Sequence, residues 1–254
     1  MIWGQGHIKQ RDRIDTLLVK KGLVPSRARA QSLIMAGAVF VDGIKVEKAG
    51  TMVGGDSSIE IKDSPLRYVS RGGIKLEAAL QVFCVEVNNK AALDIGASTG
   101  GFTDCLLQYG AGVIYAVDVG YGQLDWKLRQ DPRVVVMERI NARYLKPEDI
   151  GQLVDIVTID VSFISLTKIV PAALELLKPD ATLIALIKPQ FEVEKGEVGK
   201  GGIVKDDDKH KMVVDKITLF LEKLGFKILG VIPSPLLGAD GNKEFLISGV
   251  LNKR

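Results

Sequence analysis

From residue 72 onward, short apolar runs alternate with longer segments that carry apolar residues at helical spacing. Runs at 91–95, 113–118, 134–137, 154–160 and 181–188 are bounded by glycine, proline or charge and predict buried strands. Helices are predicted between them at 74–83, 103–108 and 169–177, and a further one at 207–224, before two last strands at 226–232 and 244–250. Such alternation predicts an α/β domain with a seven-stranded, mostly parallel sheet and an antiparallel closing strand. Residues 11–62 follow another pattern. Ile14, Leu17 and Leu18 mark one helical face that ends at Gly22. A second helix opens behind Ser26 as N-cap, with Ala30, Leu33 and Ile34 inward and Arg27, Arg29 and Gln31 elsewhere. Gly37 ends it, a hairpin turns at Asp42-Gly43, and a short strand follows at 58–61. The polar, proline-bearing stretch 63–70 reads as a linker, which leaves a small α+β domain at 11–62 and the larger domain at 71–254.

A hydrophobic content of 46% and a charged content of 26% over 254 residues are those of a globular protein. The longest apolar runs, such as 182–187, are too short to span a bilayer, and residues 1–10 lack the apolar core of a secretion signal. A cytoplasmic protein without stable membrane association is expected. Cys84 and Cys105 read as buried core thiols in a reducing compartment. His7 and His210 are far apart, so no metal site is expected. The net charge of +3 conceals an asymmetry. Residues 1–71 hold 12 Lys/Arg against 7 Asp/Glu, whereas residues 72–254 hold 22 against 24. A polyanion would therefore dock on the N-terminal part, with Arg13, Arg27, Arg29 and Arg71 as candidate contacts; the alternative is a solvated charged helix face.

The most informative stretch is Asp94-Ile95-Gly96-Ala97-Ser98-Thr99-Gly100-Gly101-Phe102, which joins the first strand of the larger domain to its helix. Glycines there let the backbone approach a ligand, and the helix start offers free N–H groups. Asp118, at the end of the next apolar run, is placed to hold a ribose diol. The glycine register departs from G-x-G-x-x-G, and Asp94 would repel a pyrophosphate, so a nicotinamide dinucleotide is disfavoured. Asp94 would attract an ammonium group, and S-adenosyl-L-methionine carries an ammonium, a diol and no phosphate. The candidate cofactor residues are Asp94, Gly96, Ser98, Thr99, Gly100, Gly101, Phe102 and Asp118, with Asn141 after the third strand and Asp160 ending the fourth. Three charges stand at strand edges, Asp160, Lys188 and Glu244, where open sheets carry their function. Lys75 lies in the first turn of the preceding helix, where a cation opposes the macrodipole.

These motifs carry a resemblance. Arg13-Ile14-Asp15, Tyr68-Val69-Ser70-Arg71-Gly72-Gly73, residues 94–102, Asp160-Val161-Ser162-Phe163-Ile164-Ser165 and Lys188-Pro189-Gln190-Phe191-Glu192 together resemble the TlyA family, historically called hemolysin A. The resemblance implies a Rossmann-like, FtsJ-like methyltransferase domain preceded by an RNA-binding domain of the ribosomal-protein-S-four type. It also implies methylation of a ribosomal-RNA ribose 2′-hydroxyl, on cytidine. Lys75, Asp160, Lys188 and Glu244 then correspond to a Lys-Asp-Lys-Glu catalytic tetrad, Glu244 on the shortest context. Lys188 would act as base or as electrostatic stabiliser, Asp160 would orient it, and Lys75 and Glu244 would fix the hydroxyl's approach. A chain ending at Arg254 resembles the family's shorter subtype, which points to the large ribosomal subunit. The family's older name raises a membrane-lytic alternative, for which the sequence offers no spanning or long amphipathic stretch.

Overall fold

A computed structural model of the protein describes residues 11–35, 37–61, 67–194, 196, 198–199, 201–238 and 241–252. Residues 63–66 of the expected linker, and residues 1–10, lie outside the described residues. The chain divides between Arg71 and Gly72 into two compact units.

The first unit contains β1 (Arg11–Arg13), α1 (Ile14–Lys20), α2 (Arg27–Met35), β2 (Val39–Val41), β3 (Ile44–Lys45), β4 (Met52–Gly54) and β5 (Ile59–Ile61). The expected hairpin joins β2 to β3. Asp42 and Gly43 both adopt positive φ (50° and 80°), as a two-residue turn between twisted strands requires. Ser26 caps α2, its Oγ accepting the Arg29 N–H at 3.2 Å. Ile14, Leu17, Leu18, Ala30, Ile34 and Val39 form the core. A second sheet, β1 with β4, has no counterpart in the sequence pattern, because three-residue strands rich in charge lack the alternation that marks longer ones. Beneath the arginines lies a fully buried carboxylate. Asp15 accepts two bonds from Arg13 at 3.1 Å, one from Arg27 at 2.8 Å and one from Gln31 at 3.1 Å. Hydrogen bonding to Arg13 leads the causes that hold this carboxyl well below the ordinary aspartate range.

The second unit runs α3 (Gly72–Val82), β6 (Ala91–Ile95), α4 (Gly101–Gln108), β7 (Val113–Asp118), α5 (Trp126–Arg129), β8 (Val134–Glu138), α6 (Pro147–Ile150), β9 (Val154–Ile159), α7 (Val170–Leu174), β10 (Leu177–Ile187), α8 (Pro189–Glu192), α9 (Asp207–Lys223), β11 (Phe226–Pro233) and β12 (Phe245–Leu251). Its seven strands are ordered β11-β12-β10-β9-β6-β7-β8. β10, β9, β6, β7 and β8 are mutually parallel, and β12 runs antiparallel to both β10 and β11. Leu93 and Ile95 of β6 share one core with residues of α7 and α9, among them Val170, Val213 and Ile217. Chain order reverses between β6 and β9, which opens a crevice beyond their carboxyl ends.

Two expectations need correction. The helix read over 169–177 ends at Leu174, and Leu177 already pairs with Val154. Lys178 is drawn into the sheet by ion pairing with Asp155 at 2.9 Å, and the same carboxylate accepts the Ala91 N–H of β6. Cys105 is buried as expected, but Cys84 is exposed. It leaves α3 at positive φ (51°), and that turn places its thiol outward.

Candidate active site

The turn after β6 is shaped by two close approaches. Gly96 has φ +87°, and a Cβ there would collide with the backbone carbonyl of Asp160. That packing brings the end of β9 against the turn, where the Asp160 N–H donates to the Ile95 carbonyl at 2.9 Å. Gly100 has φ +95° and opens α4, and a Cβ there would meet the Leu128 side chain. The next strand presents Asp118. One carboxylate oxygen accepts the Ser98 N–H at 2.8 Å and the other accepts the Gly120 N–H at 2.7 Å. Two backbone donors thus fix the carboxylate's orientation while leaving each oxygen a further lone pair for a diol.

A cleft of about 1020 Å³ opens beside these residues, lined by Gly96, Ser98, Asp118, Asn141 and Asp160 and by the loop after β9. That volume lies at the upper end of small-molecule pockets. Asn141 also caps the short helical turn 142–144, its Oδ1 accepting the Arg143 N–H at 3.2 Å. Thr99, Gly100, Gly101 and Phe102 do not line the cleft; Phe102 is buried, and the other three shape the turn and the start of α4. The oriented Asp118 carboxylate and the Asp160 carboxylate at the cleft fit S-adenosylmethionine, which carries a diol and no phosphate.

Asp94 stands differently from the expectation of a direct ammonium contact. It is wholly buried and does not line the cleft. Thr103 donates to one of its oxygens at 2.6 Å, and Thr158, its partner in register on β9, to the other at 2.9 Å. Burial pushes its carboxyl up to about 6, against the opposing effect of the two hydroxyls. Asp94 therefore buttresses the turn from below. Thr158 had a visible signal: a hydroxyl in the middle of an otherwise apolar strand.

The four expected charges assemble at one end of the sheet. Asp160, Lys188 and Glu244 follow β9, follow β10 and precede β12, three adjacent strands. Lys188 Nζ lies 2.6 Å from Asp160 Oδ1 and donates to Ser162 Oγ at 2.9 Å. Lys75 Nζ donates to Glu244 Oε2 at 2.5 Å, with both side chains buried. Asp160 lines the cleft and Lys188 is paired with it, whereas Lys75 and Glu244 are not among the lining residues. The Lys75–Glu244 pair is buried and the Lys188–Asp160 pair partly so, and burying paired charge costs desolvation that apolar residues would avoid. Ser162 escaped the sequence reading, although its motif did not. In the first unit Arg13 and Arg27 are both half exposed (50% and 56%) and tied to Asp15; Arg29 is exposed and Arg71 partly so.

A nucleoside cleft at the switch point of a doubly wound sheet, beside paired Lys, Asp, Lys and Glu, defines an S-adenosylmethionine-dependent methyltransferase. Comparison with known proteins places the chain within that class. Residues 68–250 match the FtsJ-like methyltransferase family and residues 12–59 match the S4 domain. The chain belongs to the FtsJ-like methyltransferases, in their TlyA group. The 16S/23S rRNA (cytidine-2′-O)-methyltransferase TlyA of Mycobacterium tuberculosis is 47% identical over 94% of this chain and 89% of its own. Hemolysin A of Brachyspira hyodysenteriae is 44% identical over 92% of this chain and 98% of its own. The N-methyltransferase NodS of Bradyrhizobium japonicum WM9, solved with S-adenosylhomocysteine, is only 12% identical. Its TM-score of 0.51 over 76% of this chain and 94% of that one reflects a shared fold. Among the described residues, no helix is long and apolar enough to cross a membrane.

Proposed function

We propose that the protein methylates a ribose 2′-hydroxyl of ribosomal RNA, on cytidine, with the large subunit as substrate. The observation that carries this reading is the Lys188–Asp160 ion pair at the cleft, backed by Lys75–Glu244. The names of the TlyA relatives support the RNA and the nucleoside, and an S4 domain supports an RNA-docking role for the first unit. When bound, S-adenosylmethionine supplies a methyl group on a sulfonium that displacement by an oxygen nucleophile releases.

The residues of the chain would then divide the work. Asp118 accepts the cofactor's ribose hydroxyls, and the Gly96 turn sets the cofactor against the end of β9. A ribose hydroxyl is a poor nucleophile until its proton leaves. Among the described residues, Lys188 pairs with Asp160 and donates to Ser162. Its part is to steady the oxygen as the hydroxyl's proton passes to solvent in the cleft. Asp160 holds Lys188 at the cleft, and the buried Lys75–Glu244 pair braces the same end of the sheet.

Lys188→Ala tests the assignment. Transfer of labelled methyl to ribosomal RNA should fall by about a thousandfold, as for loss of one transition-state donor, while cofactor affinity stays within a few-fold. Full activity in this variant would move the role elsewhere.

A further inference from the structure

Two loops leave the sheet beside the cleft, one after β9 carrying Asp160 and Ser162, the other after β10 carrying Lys188. Glu192, at the end of α8, bridges them. Its Oε2 accepts the Ser165 hydroxyl at 2.6 Å and its Oε1 accepts the Leu166 N–H at 2.7 Å. The side chain is buried, and burial raises its carboxyl above the ordinary glutamate range. Its own backbone carbonyl is held by Lys216 Nζ of α9 at 2.8 Å. One residue further back, the Phe191 ring packs on Phe163 at 5.1 Å between centroids. Phe163 has φ +64°, a left-handed backbone that a β-carbon disfavours and that persists only when neighbours hold it. Ser162, which accepts the Lys188 hydrogen bond, is the adjacent residue.

We infer that Glu192 is a positioning residue for methyl transfer: it clamps the β9 loop to the β10 loop and so holds Ser162 where it orients Lys188. This rests on the transfer reaction proposed above. The clamp works from outside the cleft, because Glu192 does not line it. A buried carboxylate that served stability alone would be replaceable by apolar packing, whereas here both oxygens are spent on the loop that adjoins the catalytic lysine.

The test compares wild type, Glu192→Ala, Glu192→Gln, Ser165→Ala and Lys188→Ala with the same ribosomal subunits and labelled cofactor. Glu192→Ala should lower kcat by about tenfold to hundredfold, the cost of modest misplacement, with cofactor Kd and RNA KM within about threefold. Its pH–rate profile should also shift, because the surroundings of Lys188 loosen. Glu192→Gln keeps an acceptor for Leu166 N–H and a polar partner for Ser165, and should recover most of the lost rate. Ser165→Ala removes the bond to Glu192, and the Ser165 hydroxyl's bonds to Thr167, without opening the core and should show a smaller loss of kcat, which keeps the inference testable if Glu192→Ala does not fold. Unchanged kcat in Ser165→Ala, or in a folded Glu192→Ala, would overturn the inference. So would a Glu192→Gln variant as inactive as Lys188→Ala, because the charge itself would then be at work. Wild-type protein that transfers no methyl would instead overturn the proposed reaction.

Discussion

Asp94→Asn should make the protein more stable near neutral pH. In the folded chain the Asp94 carboxyl is lifted from an ordinary 3.8 to about 6, with burial the leading cause. As pH rises from 4 to 6, the unfolded chain gives up this proton first while the folded chain retains it. Stability therefore falls across that window and levels off above it. A shift of about two units corresponds to roughly 3 kcal/mol. Asparagine removes the ionisation and keeps the shape. Its carbonyl accepts from one threonine hydroxyl, and its amide donates to the other, since hydroxyls rotate to accept. The difference in urea unfolding free energy between variant and wild type, measured from pH 4 to 8 at fixed salt, cancels the other carboxylates. It should grow in the variant's favour by about 3 kcal/mol between pH 4 and 7. A difference that is flat with pH, or that favours wild type as pH rises, would refute the argument. Asp94 does not line the cleft and asparagine keeps both threonine partners, so calorimetry should show S-adenosylmethionine affinity within a few-fold of wild type.

Three further outcomes follow from the geometry. Asp118→Ala should weaken cofactor binding by roughly tenfold to a hundredfold in calorimetry, the worth of charged hydrogen bonds to a diol; unchanged affinity would remove Asp118 from the site. Asp15→Ala strands the donors of Arg13, Arg27 and Gln31. Because the Asp15 carboxyl is held low in the fold, its stabilisation is present above about pH 4 and is lost as pH falls below it, so thermal melts of the variant should lose that acid-dependent part. Arg29→Ala should lower RNA affinity evenly across sequences and reduce the salt slope by about one; a slope equal to that of wild type would take Arg29 off the interface.

The parts of this architecture that repeat were open to reading from the sequence. Apolar runs such as 113–118 are long enough to declare a buried strand, and a carboxylate at the tip of one, Asp118, needs no tertiary knowledge to be singled out. Elements of three or four residues, such as β1, β4 and α5, carry too few positions for any period to emerge. Residues 175–180 misled for a different reason: Pro179 ends a helix pattern and also sits comfortably in an irregular strand, and the pairing of Lys178 with Asp155 decides between them. Among the site residues, charge at strand ends was informative and contact was not. Asp94 was visible as an acid beside a glycine turn, but its burial under Thr103 and Thr158 depends on the register of β6 against β9. The link from Glu192 to Ser165 spans 27 residues and joins two loops, a relation that no local pattern encodes.

Transfer of a methyl group to a ribose oxygen of ribosomal RNA can be read directly from the modified nucleoside. Purified large and small ribosomal subunits lacking the modification would each be incubated with the protein and isotopically labelled S-adenosylmethionine. Their RNA would then be digested to nucleosides for mass spectrometry. Labelled 2′-O-methylcytidine is expected from the large subunit, and none with the Lys188→Ala variant. Label on a base atom, label in protein alone, or no label from either subunit would contradict the proposed transfer.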